Sequence, residues 1–301
     1  MRIRNYHLIP LLALALGFLM GCGGTSTTED KKSSEQDLFE KSQAKIIADI
    51  AKIASELPPP SLIPNTIEEI GARYNPQLIN DLSSLESYLV NDDLAALNLG
   101  IYATDITYTA SYDKVAETEE HMEACKQLAE ALGVSTAFDL NMLERYESVH
   151  NNHDSLNALL NESVRIVEER LEHSERLAMS ALVITGSFIE GLYLAIKVVE
   201  QYPHNQITEE ERDKLLEPLV RLVLEQEQTL IDIIQMLRDI PQDDMISHYM
   251  TELSILKRLY DSDLADMEEK LNTKAEGFVL TADMLLDVNI EVGRIRNEIT
   301  K

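Results

Sequence analysis

The chain has 301 residues, with 53 Asp and Glu against 26 Lys and Arg and a formal charge of −27. A chain this acidic is repelled by phosphate backbones and by anionic lipid headgroups, so no nucleic-acid partner is expected and the charge reads as a solubilising surface. Its 2 cysteines and absence of tryptophan leave little room for a disulfide framework, so a packed core has to hold the fold.

The N-terminus carries the first legible element. Arg2 and Arg4 precede an apolar run from Leu8 to Met20, and Leu19-Met20-Gly21-Cys22 closes it. A positive start, a short hydrophobic stretch and a small residue before the cleavage point are the parts of a bacterial secretory signal. The Leu-x-Gly-Cys ending resembles a lipobox, where signal peptidase II cuts before a lipid-bearing cysteine. The run is shorter than the roughly 20 apolar residues a membrane helix needs, so residues 1–21 are expected to be removed. Cys22 then becomes an acylated N-terminus that holds the chain at a membrane surface. Its processing removes Arg2 and Arg4 and no acid, leaving 24 basic against 53 acidic residues, a charge of −29. Residues 22–37, with Gly, Ser and Thr in most of the first positions, read as a flexible tether.

Every periodic segment beyond the tether reads as helix and none as strand. Residues 38–301 are therefore expected to form an all-α multi-helix bundle of antiparallel up-and-down helices, with a possible subdivision into two packed subbundles near 134–154. Phe39, Ile46, Ile50, Ile53 and Leu57 repeat at helical spacing until Pro58-Pro59-Pro60 stops them. A Pro-rich connector runs to Pro64, followed by a short helical turn over 66–73. Pro76 suits a first helical position, and Leu78, Leu82, Leu85 and Leu89 make the next stripe. Asn91 or Asp92 caps a helix through Tyr112, and residues 113–132 continue as helix to Gly133, a left-handed stop. Cys125 falls on the apolar spacing of Val115, Met122, Ala129 and Leu132 and reads as core filler, not a nucleophile. Further helices are expected near 136–148 and over 154–172, then one capped by Ser174 and ended by Pro203. Thr208 and Glu211 form a capping-box pattern, and Pro218 predicts a kink or break in the helix they open. Asp243 or Asp244 opens a helix carrying Ile246 through Leu271, and the last helix carries Leu285, Val288, Val292, Ile295 and Ile299.

Two helices are apolar nearly all round, which places them at the centre of a bundle. Between Leu177 and Ile196 the one carboxylate is Glu190, flanked by Gly186, Gly191 and Tyr193; between Leu94 and Ser111 it is Asp105. Tyr102, Asp105, Tyr108 and Tyr112 are spaced three, three and four apart, on a common helical face. Buried acids are costly unless paired, so Tyr102, Asp105, Tyr108, Tyr112, Gly186, Glu190 and Tyr193 are the candidate site. They form either a ligand-binding cluster or a hydrogen-bonded polar core in which phenols, hydroxyls or an inward Arg satisfy the acids.

No metal site is expected. Glu147 and His150 match the Glu-x-x-His unit of di-iron bundles, with His153 three residues on, but no second such unit exists. No nucleophile elbow, phosphate loop or dinucleotide fingerprint is present, so no cofactor is expected. The lipobox, the acidic helical body and the segments Leu99 to Tyr108 and Ala181 to Tyr193 resemble a group of lipoproteins of Bacteroidota with no assigned activity. That resemblance implies an outer-membrane address. The expected function is that of a non-enzymatic, lipid-anchored envelope protein whose bundle binds or scaffolds an envelope protein partner or a small ligand. The alternative is an enzyme or metal site built on Asp105 and Glu190. Neither the ligand nor the oligomeric state is readable from the residues.

Overall fold

The computed structural model describes residues 58–134, 176–203, 207–273 and 282–301 continuously, with single helical positions between 41 and 53 and between 145 and 166. The signal, Cys22, the tether, Ser174, Glu147, His150, His153 and most of 134–154 lie outside the described residues. From Lys45 on, the chain forms one compact unit. It is an all-α multi-helix bundle, with no strand among the described residues. The helices are α1 Leu62–Glu69, α2 Leu85–Tyr88, α3 Asp92–Ser111, α4 Val115–Ala131, α5 Leu177–Gln201, α6 Glu209–Asp239, α7 Asp244–Leu259, α8 Ala265–Thr273 and α9 Leu286–Ile299.

Local chemistry sets most boundaries. Asn91 opens α3 by accepting the N–H groups of Asp93 and Leu94 at 2.8 and 3.0 Å, and Asp92 and Asp93 sit at the positive end of the helix dipole. A three-residue turn with Asp113 at φ +56° folds α4 back onto α3, and α4 stops at Gly133 with φ +69°. Thr208 and Glu211 cap α6 reciprocally, and Asp243 caps α7 by accepting the Ile246 N–H at 2.8 Å. The apolar stripe expected to continue from Ile246 to Leu271 passes through a π turn at Tyr260–Leu264 before α8. Every one of Leu285, Val288, Val292, Ile295 and Ile299 is buried.

Three expectations are corrected. Helix α1 begins at Leu62, ahead of Pro64, because a proline in the first turn gives up an N–H that has no helical acceptor anyway. Helix α6 runs unbroken through Pro218. Leu216, Leu219, Val220 and Val223 are buried on both sides of that residue, and their burial outweighs the roughly 3 kcal/mol that an interior proline costs. The stripe from Leu78 to Leu89 is not one helix: residues 75–81 form an irregular segment, followed by a 3-10 turn at Leu82–Ser84 and the single turn α2.

Helices α3 and α5 form the centre and pack on each other. Helix α5 is long and apolar enough to cross a membrane, yet 83% of its apolar window is buried inside the protein, so its hydrophobic surface is spent on neighbouring helices. Small residues set their separation. A Cβ added at Gly100 would lie 2.0 Å from the Val183 carbonyl oxygen, and one at Gly186 would lie 2.0 Å from the Leu97 carbonyl oxygen. Each glycine thus admits the backbone of the other helix, and Thr104 Oγ1 meets Ser187 Oγ at 2.9 Å alongside. Gly100→Ala or Gly186→Ala should lower stability by about 3 kcal/mol or more in chemical denaturation, since backbone cannot step aside as a side chain can. Gly293→Ala, whose Cβ would meet nothing within 4 Å, should instead raise stability by roughly 0.5–1 kcal/mol through helix propensity. Equal effects at all three positions would mean that α3 and α5 separate freely.

Candidate functional site

The backbone contact at Gly100 and Gly186 carries Asp105 and Glu190 into the same interior region, and both are completely buried. Glu190 is bound in a fork by Arg296 of α9, with Nε to Oε2 at 2.6 Å and Nη2 to Oε1 at 2.9 Å. The planar guanidinium matches a carboxylate along two parallel hydrogen bonds. The guanidinium carbon lies over the Tyr193 ring, 4.2 Å from its centroid. Arg296 Nη2 also donates to the Leu78 carbonyl at 3.1 Å.

Asp105 Oδ2 accepts the Asn80 backbone N–H at 2.9 Å, while Oδ1 has no hydrogen-bond partner. Burial pushes the Asp105 carboxyl well above its usual range, and the Glu190 charge adds to this; Arg296 and the Asn80 N–H oppose it without prevailing. Asp105 is therefore the neutral member of the pair. With Glu190 paired to Arg296, the three groups sum to zero charge.

The tyrosines are occupied by the irregular segment that the sequence pattern assigned to a helix. Tyr112 donates to the Ala72 carbonyl at 2.7 Å, Tyr108 accepts the Asn75 N–H at 3.0 Å, and Tyr102 donates to the Asp81 carbonyl at 3.1 Å. His121 of α4 reaches the Asn80 carbonyl at 3.3 Å through Nε2. Asp105 and Arg296 serve two more backbone groups of the same stretch. A buried segment without secondary structure must find partners for its peptide groups, and here side chains of α3, α4 and α9 supply them. Burial raises the pKa of Tyr102, Tyr108 and Tyr112, so these phenols act as neutral donors and acceptors. Burial likewise raises the Cys125 thiol, which makes it an inert core residue.

The structure thus brings Tyr102, Asp105, Tyr108 and Tyr112 together along one side of α3 and joins Glu190 and Tyr193 through Arg296, while Gly186 serves helix packing. Arg296 was not singled out in the sequence because its partner lies 106 positions away.

Solvent reaches the outer side of the 71–78 segment instead. A cleft of about 390 Å³ is lined there by Arg73, Tyr74, Asn75, Leu78, Gln201 and Tyr202, with Val198 at its base. Tyr74 is held in place by its hydroxyl, which donates to Glu117, and by tilted ring contacts with Tyr108 and Tyr112 at 5.4 and 5.5 Å. Asn75 Nδ2 donates to Gln201 Oε1 at 2.8 Å across the cleft. Arg73 is exposed and has no ion-pair partner among the described residues. Comparison with protein-family models, with curated proteins and with solved structures finds no match to this chain.

Asp105→Asn should preserve the fold, because the amide oxygen still accepts the Asn80 N–H and the side chain stays uncharged beside Glu190. Glu190→Gln should cost about 3–5 kcal/mol by leaving Arg296 charged, buried and unpaired. The sign of the pH dependence follows from the raised Asp105 pKa. From about pH 4 upward the unfolded chain releases this proton and the folded chain keeps it, so wild-type stability falls with rising pH until the folded pKa is reached. Asp105→Asn lacks that loss, so urea denaturation from pH 4.5 to 8 should show the variant gaining on wild type as pH rises. A constant difference across that range would mean that Asp105 is ionised in the fold.

Proposed function

We propose that this chain is a lipid-anchored protein of the bacterial envelope, at the outer membrane, whose helical body binds a small anionic molecule in the cleft beside residues 71–78. The observation that carries the reading is Arg73, a guanidinium without an ion-pair partner among the described residues, placed with Tyr74 and Tyr202 at the edge of that cleft in a chain with two acids for each base. A guanidinium fork with two phenol rings suits a carboxylate or phosphate attached to a planar or sugar body. Among the described residues lining the cleft, none is a general base or nucleophile in reach of a second catalytic residue, which favours binding over turnover. The competing reading, an enzyme or metal site on Asp105 and Glu190, has the sealed and already paired geometry of those acids against it. The resemblance to lipoproteins of Bacteroidota supports the address and leaves the ligand open; docking of an envelope protein partner over the same cleft is the second form the binding reading takes.

Two measurements test this proposal. Labelled palmitate should enter the wild-type product and be absent from Cys22→Ser; equal labelling of both would remove the anchor. In a thermal-shift panel of aromatic carboxylates and sugar phosphates on the full chain in detergent, at least one anion should raise Tm by roughly 5 °C at a hundredfold excess over Kd. Arg73→Ala should lose that rise while melting normally without ligand. If no anion distinguishes wild type from Arg73→Ala, the cleft is not an anion site.

A further inference from the structure

A second cluster lies on the far side of α9 from the Glu190 pair and involves none of the cleft residues. His248 and Glu252 stand one turn apart on α7, on the same face, and Glu298 of α9 packs against them. One ligand atom from each of the three lies within 4.8 Å of the others. His248 Nε2 is 2.8 Å from Glu298 Oε1, and His248 Nδ1 is 3.9 Å from Glu252 Oε1. A tetrahedral ion with bonds of about 2.0–2.1 Å holds its ligand atoms about 3.3 Å apart and takes one imidazole nitrogen, so side-chain adjustments that draw one nitrogen and both carboxylates in from within 4.8 Å would close the set.

Two further features point to a cation. His248 Nε2 is occluded from solvent and makes no hydrogen bond, although a carboxylate oxygen stands at hydrogen-bond distance. The cluster also already contains a movable positive charge. Arg294 touches Glu252 and reaches Glu298 Oε2 at 3.3 Å, yet it is also held by Glu291 on its own helix, with Nε to Oε2 at 3.1 Å and Nη2 to Oε1 at 2.8 Å. Glu291 alone can keep the guanidinium paired, so Arg294 can release Glu252 and Glu298 without being left unpaired. The side chain of Arg294 is 43% exposed, which gives it room to move, whereas that of Glu252 is 12% exposed and positioned by its neighbours.

We propose that His248, Glu252 and Glu298 bind one divalent transition-metal ion of the zinc type, and that Arg294 is the internal counter-ion the metal displaces onto Glu291. One imidazole with two carboxylates suits zinc, or a metal of similar hardness, over magnesium or calcium, which take oxygen ligands alone. Three protein ligands leave a fourth position for water. The bound ion bridges α7 and α9 and so tightens the attachment of the helix that supplies Arg296 to the core. The site is independent of the Arg73 cleft, and its failure would leave that reading untouched.

The test is calorimetric titration of zinc chloride into the full chain after chelator treatment, beside His248→Ala, Glu298→Gln and Arg294→Gln. Wild type should take up one equivalent with Kd at or below about 10 μM. His248→Ala and Glu298→Gln should each weaken binding at least tenfold, with unchanged helicity by circular dichroism in chelator. Arg294→Gln should tighten binding severalfold, because the competing charge is gone. Absence of saturable one-to-one uptake by wild type would overturn the proposal, as would equal affinity in His248→Ala; weaker binding in Arg294→Gln would overturn the displacement.

Discussion

The close approach of α3 and α5 at Gly100 and Gly186 is the constraint from which the interior follows. Where the backbone of one helix rests against the other, with Val183 O and Leu97 O filling the places that Cβ atoms would take, no water separates them. Asp105 lies five residues beyond Gly100, and Glu190 four beyond Gly186, so both acids are carried into the same desolvated region about one turn along. Two ionised carboxylates cannot share such a region at low cost. The fold resolves the conflict by giving Glu190 the Arg296 fork and leaving Asp105 its proton. A wider helix separation would admit water, and neither arrangement would be needed.

That polar centre also holds the least regular part of the described chain. Ala72, Asn75, Leu78, Asn80 and Asp81 all have backbone groups bound by side chains of α3, α4 or α9. The same logic reaches the C-terminal helix, since Tyr88 donates to the Thr300 carbonyl at 2.9 Å and Asn98 to the Ile299 carbonyl at 3.1 Å. Apolar packing alone would let these pieces slide along α3. A set of directional bonds, each satisfied only in one alignment, fixes their register.

This division explains what was legible in the residues. Helices α3 and α5 announced themselves as central because they lack a polar face, and their lone acids drew attention for the same reason. Helix caps at Asn91, Thr208 and Asp243 were legible because capping is local chemistry. The segment from Leu78 to Leu89 misled because its leucines fall four, three and four apart, a helical spacing. Its conformation is set by Tyr102, Asp105, His121 and Arg296, up to 218 positions away, and local pattern carries no trace of such bonds. The His248, Glu252 and Glu298 set was missed for a related reason: two of its members are one turn apart on α7, but the third comes from a helix 46 positions later than Glu252. Arg73 carried no pattern at all, because a lone exposed arginine acquires meaning only from the cleft beside it.

The overall charge gives the two proposed sites opposite burdens. A field from −27 charges draws divalent cations toward the surface and repels anions, and at physiological ionic strength it is screened beyond about 8 Å. Any of the many exposed acids can therefore attract a cation loosely, and selectivity at the α7–α9 cluster has to come from the imidazole and from the ligand spacing. At the cleft the long-range field works against the ligand, so the approach of an anion depends on the last few ångströms, where Arg73 and no acid is among the described lining residues. Tyr74, Tyr202 and Val198 then add apolar contact that the field does not affect. A cleft arranged in this way favours an anion with an apolar or planar body over a bare inorganic ion, because the single guanidinium must be supplemented by contact area to outweigh the repulsion of the remaining surface.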